Sequence, residues 1–127
     1  MIKNNSAYDA EYSNGLLAIQ IRGEIDHHSA VGLRAGMDAE IFKHRPSKLI
    51  LDLSEVEFMD SSGLGLILGR YAVLKDIGGE LVLLNPGKGV LKILKLAGAE
   101  RILKIEYLDL EKGRNQGETK GRVKRKT

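Results

Sequence analysis

The chain contains no cysteine. Disulfides, thiolate nucleophiles and cysteine-based zinc sites are therefore excluded, although that absence does not fix the compartment. Long apolar runs are also missing. The N-terminus, Met1-Ile2-Lys3-Asn4-Asn5, lacks the apolar core of a secretory signal. The other apolar stretches are short and broken by glycine or charge, so no membrane span is expected. These absences point to a soluble cytoplasmic protein. Several catalytic signatures are missing as well. There is no Gly-x-Ser-x-Gly elbow, and His27, His28 and His44 all precede the candidate serines at 61 and 62. Asn85-Pro86-Gly87-Lys88-Gly89 has a Gly-Lys pair but neither the spacing nor the Ser/Thr of a phosphate-binding loop. No Gly-x-Gly-x-x-Gly opens a helix after the first strand, so nucleotide hydrolysis by this chain is poorly supported.

What is present fits one domain. With 127 residues and 43% hydrophobic content, the chain can bury a core without metals or disulfides. The net charge of +3 hides an uneven distribution. Residues 111–127 carry seven basic and two acidic side chains, which leaves residues 1–110 with 13 basic and 15 acidic, a net of −2. Residues 112–127 contain a single aliphatic side chain, Val123, and cannot bury enough apolar area to offset ordering. The expected division is a folded domain over 1–110 and a basic, disordered tail over 111–127. Clustered basic charge binds polyanions non-specifically, but no aromatics are interleaved with it, and no specific nucleic-acid partner is expected.

The pattern along the chain predicts alternating strands and helices. Ala7–Tyr12 and Leu16–Arg22 flank Ser13-Asn14-Gly15, a strong hairpin signal because Asn and Gly tolerate positive φ. Ser29 can cap a helix from Ala30 to about Phe42, with Leu33, Met37 and Ile41 at helical spacing. Lys48–Leu53 reads as a central strand and Leu81–Leu84 as another. Helices are predicted over Ser62–Asp76 and Lys88–Ala97, and a last edge strand over Ile102–Tyr107. Alternation from Leu49 onward argues for crossover units and parallel pairing. The fold class is α/β: a mixed, mostly parallel sheet with an N-terminal antiparallel hairpin and flanking α-helices.

The richest segment chemically is Phe58-Met59-Asp60-Ser61-Ser62-Gly63-Leu64-Gly65. It sets an acid, two hydroxyls and two glycines between a strand and an apolar helix. Either Ser61 or Ser62 can cap the first helical N–H groups, which otherwise lack partners. A phosphate there would meet the same N–H groups and the positive end of the helix dipole. Gly63, Gly65 and Gly69 each cost about 1 kcal/mol of helix propensity relative to Ala, which suggests close backbone approach by the sheet or by a partner. A second segment, Gly23-Glu24-Ile25-Asp26-His27-His28, groups two carboxylates with two imidazoles. The histidines are adjacent, not spaced i, i+4, and no third imidazole is near, so an exposed strand-end turn is the plainer reading than a metal site.

Phe58 to Gly65, continuing through Ile67-Leu68-Gly69-Arg70-Tyr71, closely resembles the phosphorylation-site segment of bacterial anti-sigma factor antagonists, members of the STAS domain family. Gly23 to His28 resembles the matching upstream motif of the sporulation-type members, and Ile77-Gly78-Gly79-Glu80 is also similar. The likeness runs from about Ala7 to Tyr107. It implies a STAS-like single domain that is not an enzyme. The unphosphorylated form would bind an anti-sigma factor that is also a serine kinase, and so release the sigma factor. Phosphorylation would undo that binding, and a serine phosphatase would restore it. The resemblance places the modified residue at Ser61, flanked by Asp60, with Ser62, Gly63, Leu64 and Gly65 as contacts at the helix start. Glu24 and Asp26 would meet basic groups of the kinase. The chain would need no cofactor of its own, ATP or ADP being held by the partner. The alternative is an unphosphorylated STAS-type binding module, for example one associated with a transporter. Family members usually add a C-terminal helix after the last strand, whereas here Leu108-Asp109-Leu110 leads into the basic tail.

Overall fold

The computed structural model describes residues 6–108. Its elements in chain order are β1 (Ser6–Ser13), β2 (Leu16–Ile25), α1 (His27–His44), β3 (Lys48–Met59), α2 (Ser61–Asp76), β4 (Glu80–Leu84), α3 (Lys88–Leu96), a short 3-10 turn (Ala99–Arg101) and β5 (Lys104–Glu106). The five strands form one sheet in the order β1-β2-β3-β4-β5. β1 and β2 pair antiparallel, and every later neighbour pairs parallel. The expected hairpin, parallel crossovers and single mixed sheet are all present.

Local chemistry accounts for the boundaries. Asn14 and Gly15 both take positive φ (47° and 87°), the geometry that a tight hairpin turn between right-twisted strands requires. β2 alternates strictly, with Leu17, Ile19 and Ile21 fully buried. Their register partners Tyr12, Ala10 and Tyr8 share that face, and the Tyr12 ring stacks on His44 of α1 at 4.1 Å. Helix α2 ends at Asp76 with Gly78 in the left-handed conformation just beyond. Leu33, Met37 and Ile41 of α1, Leu66, Ile67 and Leu74 of α2, and Val90 and Leu94 of α3 join the inner residues of β2, β3 and β4 in one hydrophobic cluster.

Four boundaries differ from the sequence pattern, the first being β2, which runs three residues past Arg22 to Ile25. Helix α1 begins at His27, three residues before Ala30, and Asp26 rather than Ser29 is its cap. Strand β3 runs on past Leu53 to Met59, because Val56 and Met59 continue its buried side and the backbone keeps pairing with β2. Ile102 and Leu103 precede the last strand: Ile102 closes the 3-10 turn and is exposed. The 111–127 tail and any helix after the last strand lie outside the described residues. No helix among the described residues is long and apolar enough to cross a membrane.

Candidate functional site

Parallel pairing sets Glu24 of β2 beside Phe58 of β3, and Ile25 beside Met59. Both strands then end, and each is followed at once by an aspartate that caps a helix: Asp26 for α1 and Asp60 for α2. The Asp60 N–H donates to the Ile25 carbonyl at 3.2 Å, which ties the two caps together at one end of the sheet. Two helix N-termini therefore open side by side. Gly23 makes this possible. It takes φ +94° between two register shifts of β2, a conformation that residues with a side chain rarely adopt. The extra residue of each shift lies on β3, where Asp52–Glu55 spans Gln20–Arg22 and Val56–Phe58 spans Gly23–Glu24, so it is β3 that bulges on its way to Asp60.

Asp26 is bound into the fold. Its Oδ1 accepts from the Ser29 N–H at 2.9 Å, and Ser29 Oγ accepts in return from the Asp26 N–H at 3.0 Å. Ser29 Oγ also donates to the Glu24 carbonyl at 3.0 Å. This reciprocal capping box gives Ser29 a buried role at the third helical position. Glu24 itself is half-buried at the strand end.

Asp60 resolves the alternative between the two serines as cap: it takes the task from both. Its Oδ1 accepts from the Ser62 N–H at 2.8 Å, and its carbonyl accepts from the N–H groups of Gly63 (3.0 Å) and Leu64 (3.3 Å). Ser61 is the first residue of α2, exposed, and its hydroxyl has no partner among the described residues. Ser62 is half-buried. An anion on Ser61 would meet the positive end of the α2 dipole, worth ~0.3–1 kcal/mol, and would stand next to the Asp60 carboxylate.

The glycines separate into two kinds. A Cβ on Gly63 would collide with Met59 Cγ and come within 3.0 Å of Ile25 Cγ2, so this residue lets α2 settle onto the strand ends. Gly65 and Gly69 would meet nothing within 4 Å. Close approach to the sheet thus explains Gly63 alone, and Gly65 leaves bare backbone on the outer side of the helix. Leu64 is half-buried and packs on the core.

Phe58 was not among the residues expected at the site, yet its side chain is 51% exposed beside Glu24. Simple alternation does not find it: Val56 and Met59 are buried three residues apart, and the β3 bulge between them leaves Glu57 and Phe58 both exposed. Val31 (69% exposed), His27 and His28 add further exposed groups in the opening turns of α1. The His27 and His28 rings meet edge-on at 6.0 Å. No group of three or more metal-ligating side chains occurs among the described residues.

Behind the site, α1 and α2 are joined by an ion pair. Arg70 is 4% exposed, and its Nε lies 3.1 Å from Asp38 Oδ1, close in distance but without good hydrogen-bond alignment. Burial lowers the Arg70 pKa from its ordinary value, and the neighbouring Asp38 carboxylate opposes that shift.

The family model of the STAS domain matches residues 7–111. The chain belongs to the STAS domain family. Within it, this STAS domain is 36% identical over 101 residues to an anti-sigma F factor antagonist of Paenibacillus polymyxa, covering 80% of this chain and 86% of the relative. Its fold superimposes on the anti-sigma factor antagonist SpoIIAA in its unphosphorylated form with a TM-score of 0.70 and 31% identity, covering 87% of this chain and 97% of the other. The phosphorylated form of SpoIIAA from Bacillus gives a TM-score of 0.67 at 30% identity, with 87% and 98% covered.

Proposed function

We propose that this STAS domain is an anti-sigma factor antagonist of the sporulation type, switched off by phosphorylation of Ser61. The observation that carries this is the state of Ser61: an exposed, unpartnered hydroxyl at the first position of α2, released from capping by Asp60. Relatives named as anti-sigma factor antagonists, and likenesses to SpoIIAA in both phosphorylation states, support it. The partner is an anti-sigma factor that is itself a serine kinase and holds the ATP or ADP. In the unphosphorylated state Gly65, Leu64, Ser62 and Phe58 present a small, partly apolar contact surface around Ser61, with Glu24 and Asp60 supplying negative charge. Binding there releases the sigma factor in the cytoplasm, where transcription takes place.

Phosphorylation then moves the γ-phosphoryl group of ATP to Ser61 Oγ, breaking the bond to the β-phosphate oxygen. The hydroxyl proton passes to a base on the kinase, and ADP leaves. The STAS domain is the substrate in this step, and no base is needed in this chain. The new group carries roughly −1.5 to −2 charge and three acceptor oxygens. The positive end of the α2 dipole favours it within the isolated domain, whereas at a packed interface beside Asp60 it adds repulsion and desolvation. A shift from 1:99 to 99:1 requires about 5.5 kcal/mol of differential binding, which charge and steric exclusion at the interface centre can supply together. A serine phosphatase reverses the modification.

The test is intact-mass and tandem mass spectrometry after incubation with a cognate anti-sigma kinase and ATP, beside calorimetric binding. One added phosphate at Ser61 and loss of binding are expected, with Ser61→Ala bound constitutively. Loss of binding by Ser61→Ala after ATP treatment would reject the assignment to Ser61. An unmodified chain beside an active kinase control would leave a STAS binding module without the switch.

A further inference from the structure

Helix α3 presents a surface that the switch does not use. Its nine residues, KGVLKILKL, contain three lysines and no acid. Lys88, Lys92 and Lys95 are spaced by four and three residues, so they share one side of the helix. All three are exposed, and none takes part in an ion pair among the described residues. With Leu91 and Leu96 they line a shallow, open depression. Leu96 is 78% exposed, more than any other large apolar side chain of the described residues.

The place where the described chain ends adds a second, independent observation. The Leu108 N–H donates to Asn85 Oδ1 at 2.9 Å, and the Tyr107 hydroxyl donates to the Pro86 carbonyl at 3.3 Å. Asn85 and Pro86 form the turn that leads directly into Lys88. The described chain thus ends at the foot of the lysine stripe, and seven basic residues follow in the sequence between 112 and 126. The α3 stripe is opposite in sign to the Glu24–Asp60 end.

We infer that the outer side of α3 docks on an anionic lipid surface. Lysines flanking a protruding leucine are the arrangement of an interfacial helix, with charge drawn to the headgroups and the apolar side chain entering the acyl boundary. Attraction of this kind weakens with salt. A single-stranded nucleic-acid surface would draw on stacking aromatics, and α3 has none; a duplex is held through its phosphates and would make no use of the protruding Leu96.

The experiment is co-sedimentation of the full chain with vesicles of phosphatidylcholine alone and with vesicles containing about one third phosphatidylglycerol. Binding to the second, weakening with salt, is expected, and none to the first. Lys92→Glu with Lys95→Glu should lower partitioning at least about 20-fold, since each lysine near an anionic leaflet is worth roughly fivefold. Leu96→Ser should lower it by about fivefold or more. These side chains are exposed, and circular dichroism verifies that the variants fold. Equal binding to both vesicles, or an unchanged double variant, overturns the proposal. So does displacement by short duplex DNA with Leu96→Ser neutral, which would make this a nucleic-acid surface.

Discussion

Asp60 holds the Ser62 N–H that a serine hydroxyl was equally able to hold, and its removal exposes that donor. Asp60→Ala should cost about 1 kcal/mol of stability, a drop of roughly 3–5 °C in melting temperature for a domain of this size. Asp60→Asn should stay within a few tenths of a kcal/mol of the parent, because asparagine caps as well as aspartate. Calorimetric melting of the two variants separates capping from charge. The glycines make a sharper contrast. Gly63→Ala gains helix propensity but must push Met59 and Ile25 aside, and overpacking of this kind costs about 1–3 kcal/mol. Gly65→Ala meets nothing and should stabilise the isolated domain by about 0.5–1 kcal/mol. Opposite signs in urea denaturation are the expected result. If Gly65 admits a close partner backbone, the same Gly65→Ala should weaken anti-sigma binding while raising stability. At this scale the sequence was legible as chemistry but not as assignment. The acid, the hydroxyls and the glycines were all visible. Which oxygen caps, and which glycine is packed, depends on the β2–β3 register, and that is tertiary information.

Helices α1 and α2 both start at the site, and Arg70 of α2 reaches Asp38 of α1 behind it. Breaking a buried pair leaves an uncompensated charge, a loss of about 3–5 kcal/mol in a fully dry site. Asp38 keeps 23% of its side chain exposed, so water partly relieves it. Arg70→Ala should therefore cost about 2–4 kcal/mol, and the double variant with Asp38→Ala should cost less than the sum of the two single changes. A double-mutant cycle in denaturant measures that coupling. Arg70 was read only as part of a family-like motif, because a charged residue in a helix predicts exposure. Strand β3 shows the same limit. Ser54, Glu55 and Glu57 made its second half look like loop, while Val56 and Met59 alone carried the buried side. Polar residues on the open side of an edge-like extension do not stop pairing with β2, and only the partner strand reveals it. Helix α1 began early for a related reason: Asp26 and Ser29 are both good caps, and the pattern of Leu33, Met37 and Ile41 does not choose between them.

Across the whole molecule, charge is divided by position. Residues 1–110 carry a net −2 and the remainder +5. Glu24 and Asp60 mark the site at the ends of β2 and β3, whereas the α3 lysines stand by the turn after β4. This sets up two surfaces with opposite electrostatic demands and no shared side chain. Effects of substitutions at separated sites without common partners usually add within ~0.3–0.5 kcal/mol. Ser61→Asp should therefore reduce anti-sigma binding by at least about 100-fold, equivalent to roughly 2.8 kcal/mol, while vesicle partitioning stays within twofold of the parent. Lys92→Glu with Lys95→Glu should do the reverse, abolishing vesicle binding and leaving the anti-sigma affinity unchanged. Measuring both variants in both assays, by calorimetry and by co-sedimentation, tests the division itself. If either variant moves both readouts together, the two surfaces are coupled, and the phosphorylation switch would then also govern where in the cell this domain resides.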